Sequence, residues 1–193
     1  PVRVITNHSS GKMGYALAEA ARDRGASVIL VSASSGLPNP PLVEVFLVET
    51  AQQMCDQVLK SSEKADALIM AAAVADYRPA DPATQKIKKN EDQLNIPLTK
   101  TTDILLAAQG NFVKVGFAAE SQNLIENAKS KIEAKDLDLI VANDITESES
   151  GFGSDYNKVL LVDRDMNVEE LPLLSKYEVS NRVLDRMITF FRD

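Results

Sequence analysis

The run Leu68-Ile69-Met70-Ala71-Ala72-Ala73-Val74-Ala75 constrains the fold more than any other stretch, because eight apolar residues stop abruptly at Asp76, Tyr77, Arg78 and Pro79. Continuous apolar sequence, rather than alternation, marks a parallel strand covered on both faces, so a buried strand is predicted over 68–75. Polar residues at the carboxyl end of such a strand face the crevice in which open α/β sheets take ligands, which makes Asp76 a candidate contact. The small side chains of Ala71 to Ala73 would let a flat ligand read the strand backbone, and they serve equally well as core filler.

Around that run the period switches repeatedly between helix and strand. Residues 14–24 carry Ala16, Leu17, Ala20 and Ala21 on one helical face, with Gly25 as the stop, and 27–32 follow as an apolar strand. Pro38, Pro40 and Pro41 impose an extended connection before a strand over 43–48, after which Thr50 is placed to cap a helix reaching about Lys60. Helices are then predicted over 102–109 and 124–134, strands over 112–117, 137–142 and 159–162, and a terminal amphipathic helix over 179–191. Such alternation gives an α/β fold: a Rossmann-like, doubly wound, largely parallel sheet, forming one nucleotide-binding domain over 1–193. Residues 78–100 break the rhythm with prolines and a lysine run, and read as a β arm leaving the sheet.

Composition excludes several functions. A formal charge of -7 and a pI near 4.9 leave no general basic footprint for nucleic acid, so any phosphate site must be local. Cys55 is the only cysteine and His8 the only histidine, so neither a disulfide framework nor a Cys/His metal cluster is available, and a reducing cytoplasm is the expected location. Cys55 sits in a helical pattern and reads as a core residue. No apolar run approaches the ~20 residues of a membrane span. The chain begins at Pro1 rather than methionine, which suggests a piece of a longer polypeptide.

Four constellations carry candidate chemistry. Asn7-His8-Ser9-Ser10-Gly11-Lys12-Met13-Gly14 is a small polar loop entering a helix, whose unpaired N–H groups suit an anion; Ser9 or Ser10 acting as a plain helix cap is the alternative. It is not a phosphate-binding P-loop, since Met13 follows Lys12 where Ser or Thr is required. Lys86-Ile87-Lys88-Lys89 suits a lid over a polyphosphate, or a solvated face. Asp103 stands in the first turn of a helix after Lys100-Thr101-Thr102, where it suits the helix dipole in any case. Gly116-Phe117-Ala118-Ala119-Glu120 ends another apolar strand, and Lys131 and Lys135 share a helical face four residues apart.

Taken in order, the motif from Asn7 to Gly14, Ala72-Ala73-Val74-Ala75-Asp76-Tyr77, Lys86-Ile87-Lys88-Lys89, Gly116-Phe117-Ala118-Ala119-Glu120 and Asp138-Leu139-Ile140-Val141-Ala142-Asn143-Asp144 resemble bacterial phosphopantothenoylcysteine synthetase over most of the chain. The resemblance implies ligation of 4'-phosphopantothenate to L-cysteine, driven by CTP with Mg²⁺ through an acyl-cytidylate. It implies that Met70, Ala71 and Ala72 line the nucleotide through backbone, that Asp76 serves its ribose or metal end, and that Lys86 belongs to a lid. Thr102, Asp103, Ile104, Leu105, Phe117, Lys131 and Lys135 complete the implied CTP site, with Ser10 and Gly11 at the anion loop. Asn7 matches the residue for turnover of the acyl intermediate, and Arg3 lies in the same segment. The family implies a homodimer joined through the arm, and a covalently linked flavin-dependent decarboxylase whose FMN lies outside this domain. Its members also carry a strand and a glycine-containing turn ahead of the position of Pro1.

Two rival classes remain open on the residues. A nicotinamide-dependent oxidoreductase would want an acid where the strand after the glycine loop ends in Ser32, and a Tyr-x-x-x-Lys pair that is nowhere in the chain. A nonenzymatic nucleotide-binding domain would use the same pocket without turnover.

Overall fold

Helix α1 (Lys12–Asp23) starts where Gly11 takes φ 73°, the left-handed conformation that glycine adopts without strain, and turns Tyr15, Ala16, Leu17, Ala18 and Ala20 inward. The computed structural model describes residues 4–33, 36–83, 85, 95–120, 123–144 and 154–191, with main chain only at 120 and 144. Strands β1 (Ile29–Ser32) and β2 (Glu44–Leu47) pair in parallel, Ile29 opposite Glu44 and Ser32 opposite Leu47. Helix α2 (Ala51–Ser62) opens on a reciprocal cap: the Thr50 hydroxyl accepts from the Gln53 N–H at 3.1 Å, and Gln53 Oε1 accepts from the Thr50 N–H at 3.1 Å. It buries Met54, Cys55 and Val58, and burial raises the Cys55 thiol above its ordinary range, as expected of a packing cysteine.

Strand β3 (Ala67–Met70) enters the main sheet; β4 (Tyr77–Pro79) and β5 (Leu98–Lys100) form an antiparallel pair apart from it. After the short helix α3 (Ile104–Ala107) come β6 (Val113–Glu120), α4 (Leu124–Lys135) and β7 (Leu139–Asp144). Then follow β8 (Tyr156–Asn157), β9 (Val159–Asp163), β10 (Val168–Glu170), β11 (Leu174–Ser175) and α5 (Lys176–Met187), which ends in a 3₁₀ turn, Ile188–Phe190. Five strands make the main sheet in the order β10-β9-β7-β6-β3. The ladders β3–β6 and β6–β7 are parallel, as the alternating pattern requires, whereas β7–β9 and β9–β10 are antiparallel.

Two cores cover the sheet. Val115, Leu139, Val141, Val159 and Leu161 face Leu17 and Ala20 of α1 and Val179, Val183 and Leu184 of α5. On the other face Ala118, Ile140, Ala142 and Val162 pack against Ala128 and Ile132 of α4. Leu139 to Ala142 are all at most 1% exposed, so β7, parallel to β6 and antiparallel to β9, is the fully enclosed strand. Each of its larger side chains contributes about 1.5–3 kcal/mol by leaving water.

The strand expected over 68–75 is corrected on two points. It stops at Met70, and its residues are only half-buried. The cause is position: β3 is an edge strand of the five-stranded sheet, paired on one side with β6, and the ladder ends at Met70 opposite Gly116. Beyond that point β6 continues against β7 alone, so Ala71 to Ala75 have no strand to pair with among the described residues. The helix expected over 102–109 shrinks to Ile104–Ala107, because Asp103 caps it from outside and Ala108 already has extended backbone. The strand expected over 112–117 instead runs on to Glu120, its last four residues held by β7.

Candidate functional site

The segment 71–76 leaves the sheet at the carboxyl end of β3 and is held by groups from two distant parts of the chain. Asn7 donates through Nδ2 to the Ala73 carbonyl at 3.1 Å. Thr101 donates through its hydroxyl to the Ala75 carbonyl at 2.6 Å and through its main-chain N–H to the Asp76 carbonyl at 2.9 Å. With these acceptors satisfied, an irregular segment keeps one course without sheet partners. Ala72, Ala73 and Asp76 are exposed, so the alanine run and the Asp76 side chain are accessible to a flat ligand.

The loop ahead of α1 approaches the same segment. Ser9 Oγ accepts from the Gly11 N–H at 3.3 Å and Ser10 Oγ accepts from the Lys12 N–H at 3.4 Å. The helix cap is nevertheless Gly11, with no side-chain bond of its own, so Ser9 and Ser10 shape the turn and the alternative of a plain serine cap does not hold. Lys12 is drawn to Asp155 at 2.7 Å, which holds that carboxyl below its ordinary range. Next to it the Lys176 ammonium, in a residue only 7% exposed, donates to the Ser154 carbonyl and to Asn157 Oδ1 at 3.4 Å. Burial lowers the Lys176 pKa, the neighbouring Lys12 adds to the effect, and Asp155 opposes it.

Lys135, in the last turn of α4, meets Asp103 at 2.8 Å. Asp103 also accepts from the Leu106 N–H at 3.3 Å, so one carboxylate caps α3 and pairs with a lysine. Its partial burial works to raise the pKa, but Lys135 and the helix-end N–H groups outweigh it and the carboxyl stays below its usual range. Lys131 is half-buried one turn earlier on the same helix.

Several expected site residues turn their side chains into the core. Ile104 packs with Met54 and Val58 and has Met70 beside it; Leu105 packs with Ala118 and Ile140. Phe117 lies partly buried against the core under α1 and α5. Any contact made by Ile104 or Leu105 with a ligand would therefore rest on main-chain atoms, whereas Met70 and Ala71 are half-buried and Ala72 and Thr102 are exposed. Arg3, Lys86, Lys88 and Lys89 lie outside the described residues.

Asn143 belongs to the motif from Asp138 to Asp144 but receives no role of its own from the sequence. It stands near the carboxyl end of β7, between Ala119 and Val159 in register, and its Oδ1 is buried with no hydrogen-bond partner among the described residues. A buried acceptor at the ligand edge of a sheet calls for a donor. The only sequence signal was an amide at the end of an otherwise apolar run.

Comparison with known proteins gives one consistent answer. The model of the DNA/pantothenate metabolism flavoprotein C-terminal domain family matches residues 1–190. The coenzyme A biosynthesis bifunctional protein CoaBC of Bacillus subtilis (strain 168) is 43% identical over 191 residues, which are 97% of this chain and 47% of that protein. This chain thus spans about half the length of the curated relative. The crystal structure of the C-terminal domain of a coenzyme A biosynthesis bifunctional protein CoaBC superposes with a TM-score of 0.81 at 40% identity, covering 98% of this chain and 88% of that one. A Cab2 complex with phosphopantothenate-cysteine shares the fold at a TM-score of 0.76 and 15% identity, covering 97% of this chain and 80% of that chain.

Proposed function

The chain belongs to the DNA/pantothenate metabolism flavoprotein C-terminal domain family, as its motifs suggested, and we propose that it joins 4'-phosphopantothenate to L-cysteine at the expense of CTP. The observation that carries this reading is the Asn7–Ala73 hydrogen bond, because it brings the loop before α1 and the alanine run into one crevice at the carboxyl edge of the sheet. Kinship with coenzyme A biosynthesis proteins supports the substrate class.

The chemistry needs two steps, since a carboxylate is a poor electrophile. A carboxylate oxygen of phosphopantothenate attacks the α-phosphorus of CTP, forming the acyl-cytidylate and releasing pyrophosphate. The cysteine amine then attacks the acyl carbon, the C–N bond forms, CMP leaves with the C–O electron pair, and the amine proton passes to solvent. Asn7 suits the second step: one amide N–H is fixed on Ala73, and the other is left to orient the acyl oxygen. The N–H groups at the start of α1, near Ser10 and Gly11, would stabilise developing negative charge. Lys131 and Lys135, with Lys86, would meet the triphosphate, and exposed Thr102 would flank it.

Among the described residues no three acids, cysteines or histidines cluster to hold a metal ion. The exposed Asp76 fits Mg²⁺ arriving on the triphosphate, since this ion is commonly held by one or two carboxylates together with substrate phosphates. Bound there, it would supply charge neutralisation at the phosphates. The whole chain would act as one domain, as a dimer, and beside a flavin-dependent decarboxylase in the longer protein.

The test is steady pyrophosphate release measured with each of the four nucleoside triphosphates. Release should require both phosphopantothenate and cysteine and be fastest with CTP. Release indifferent to cysteine, or none with any nucleotide, would overturn the assignment.

A further inference from the structure

A second cavity, of about 410 Å³, lies at the opposite edge of the sheet, where β6 and β7 begin. Lys114 and the ligand edge at Glu120 are six residues apart on β6, about 20 Å, so this cavity is separate from the crevice described above. Its walls combine aromatic surface, from Phe112, Phe190 and Phe191, with charges of both signs.

Those charges do not cancel one another evenly. Asp138 is committed: it pairs with Arg164 at 2.9 Å and accepts from the Lys114 main-chain N–H at 2.8 Å. Arg164 in turn stacks on Phe190, with its guanidinium carbon 5.0 Å from the ring centre. The Lys114 side chain is 5% exposed, yet its recorded ion-pair partner is Asp136, whose side chain is 97% exposed and 3.9 Å away. A carboxylate that exposed, at that distance, is screened by solvent and engages the ammonium only loosely. Asp66, also on the lining, is exposed and has no ion pair among the described residues. The cavity thus presents one cation on a mostly buried stem and two loosely engaged carboxylates beside aromatic rings.

We propose that this cavity binds a small zwitterion, an α-amino acid with an apolar side chain, whose carboxylate meets Lys114 and whose ammonium meets Asp66 and Asp136. An anion alone would face the two acids, and a cation alone would face the lysine ammonium. Only a ligand carrying both charges close together satisfies both, with its side chain against Phe112 and Phe191. The inference does not depend on the ligase reading, because it uses neither the residues nor the edge of the sheet assigned to it.

Isothermal titration of the protein with L-phenylalanine, phenethylamine and 3-phenylpropionate separates the cases. L-Phenylalanine should bind saturably below about 10 mM, and each analogue lacking one charge should bind at least about fivefold more weakly, the scale of one charged contact. Asp66→Asn, at an exposed position, should weaken L-phenylalanine by a similar factor without changing thermal stability, and Lys114→Met should do the same while filling the buried space. Absence of saturable L-phenylalanine binding, equal binding of either analogue, or binding untouched by Asp66→Asn would each overturn the proposal.

Discussion

The side-chain amide of Asn7 donates to the main-chain carbonyl of Ala73 across 3.1 Å, joining two segments 66 positions apart in the chain. An exposed asparagine otherwise has many rotamers, so this bond orients an amide that would act on the acyl oxygen.

Asn7→Asp replaces that donor with a carboxylate facing a carbonyl oxygen and sets a negative charge beside the intermediate. The first half-reaction should survive while the second slows by about 10²–10³, the scale of losing one oriented donor. Mass spectrometry of the quenched reaction should then find acyl-cytidylate accumulating. Normal amide formation in the variant would remove Asn7 from the mechanism.

The Lys135–Asp103 pair at 2.8 Å holds a cation ready beside the short helix α3. Lys135→Gln should raise KM for CTP by about tenfold, one lost charge-assisted contact, with kcat less affected. Asp103→Asn keeps an N-cap acceptor and frees Lys135, so its KM should equal or fall below that of the parent. An unchanged KM in Lys135→Gln would show that the lysine serves only the helix.

Asp163 reports on stability and not on catalysis. It is 2% exposed, and burial alone would raise its pKa, but the side-chain and main-chain N–H groups of Asn167, together with Arg186, hold it below the ordinary range. A carboxyl depressed in the folded state stabilises above its unfolded pKa, near 3.9, and that contribution fades as pH falls from there through the folded value. Asp163→Asn should therefore cost about 2 kcal/mol at pH 7, a partly exposed Arg186 losing its partner, with the difference shrinking below about pH 4. Urea titrations of both proteins across that range would detect it; a difference independent of pH would rule out the ionised form as the source.

Tyr77, Ile96 and Leu98, flanking or within the β4–β5 pair, are 48%, 51% and 46% exposed. A two-stranded ribbon with such apolar surface is marginal alone, and a symmetric copy would cover it. Light scattering should give about twice 21.0 kDa for this chain. Leu98→Asp should yield inactive monomer, whereas a fully active monomer at micromolar concentration would exclude a site shared through the arm.

The periods of the sequence were enough for the α/β class, the edges of α1, α2 and α4 to within about two residues, the Thr50 cap and the core role of Cys55, because each depends on neighbours within a turn or two. Segments such as 71–76 and 103–109 were legible as ligand-edge candidates but not in their conformation. What strand a residue pairs with is a property of its neighbours in space: the alanine run looked like a central strand, yet it lies past the last pairing of an edge strand, while Leu139 to Ala142 occupy the enclosed position. The antiparallel end of the sheet was hidden for the same reason, since strand direction leaves no mark in residue spacing. Local order follows from the side chains along the chain, whereas the meeting of Asn7 with Ala73, of Asp103 with Lys135, and of Lys114 with its cavity was decided only when the sheet brought those segments together.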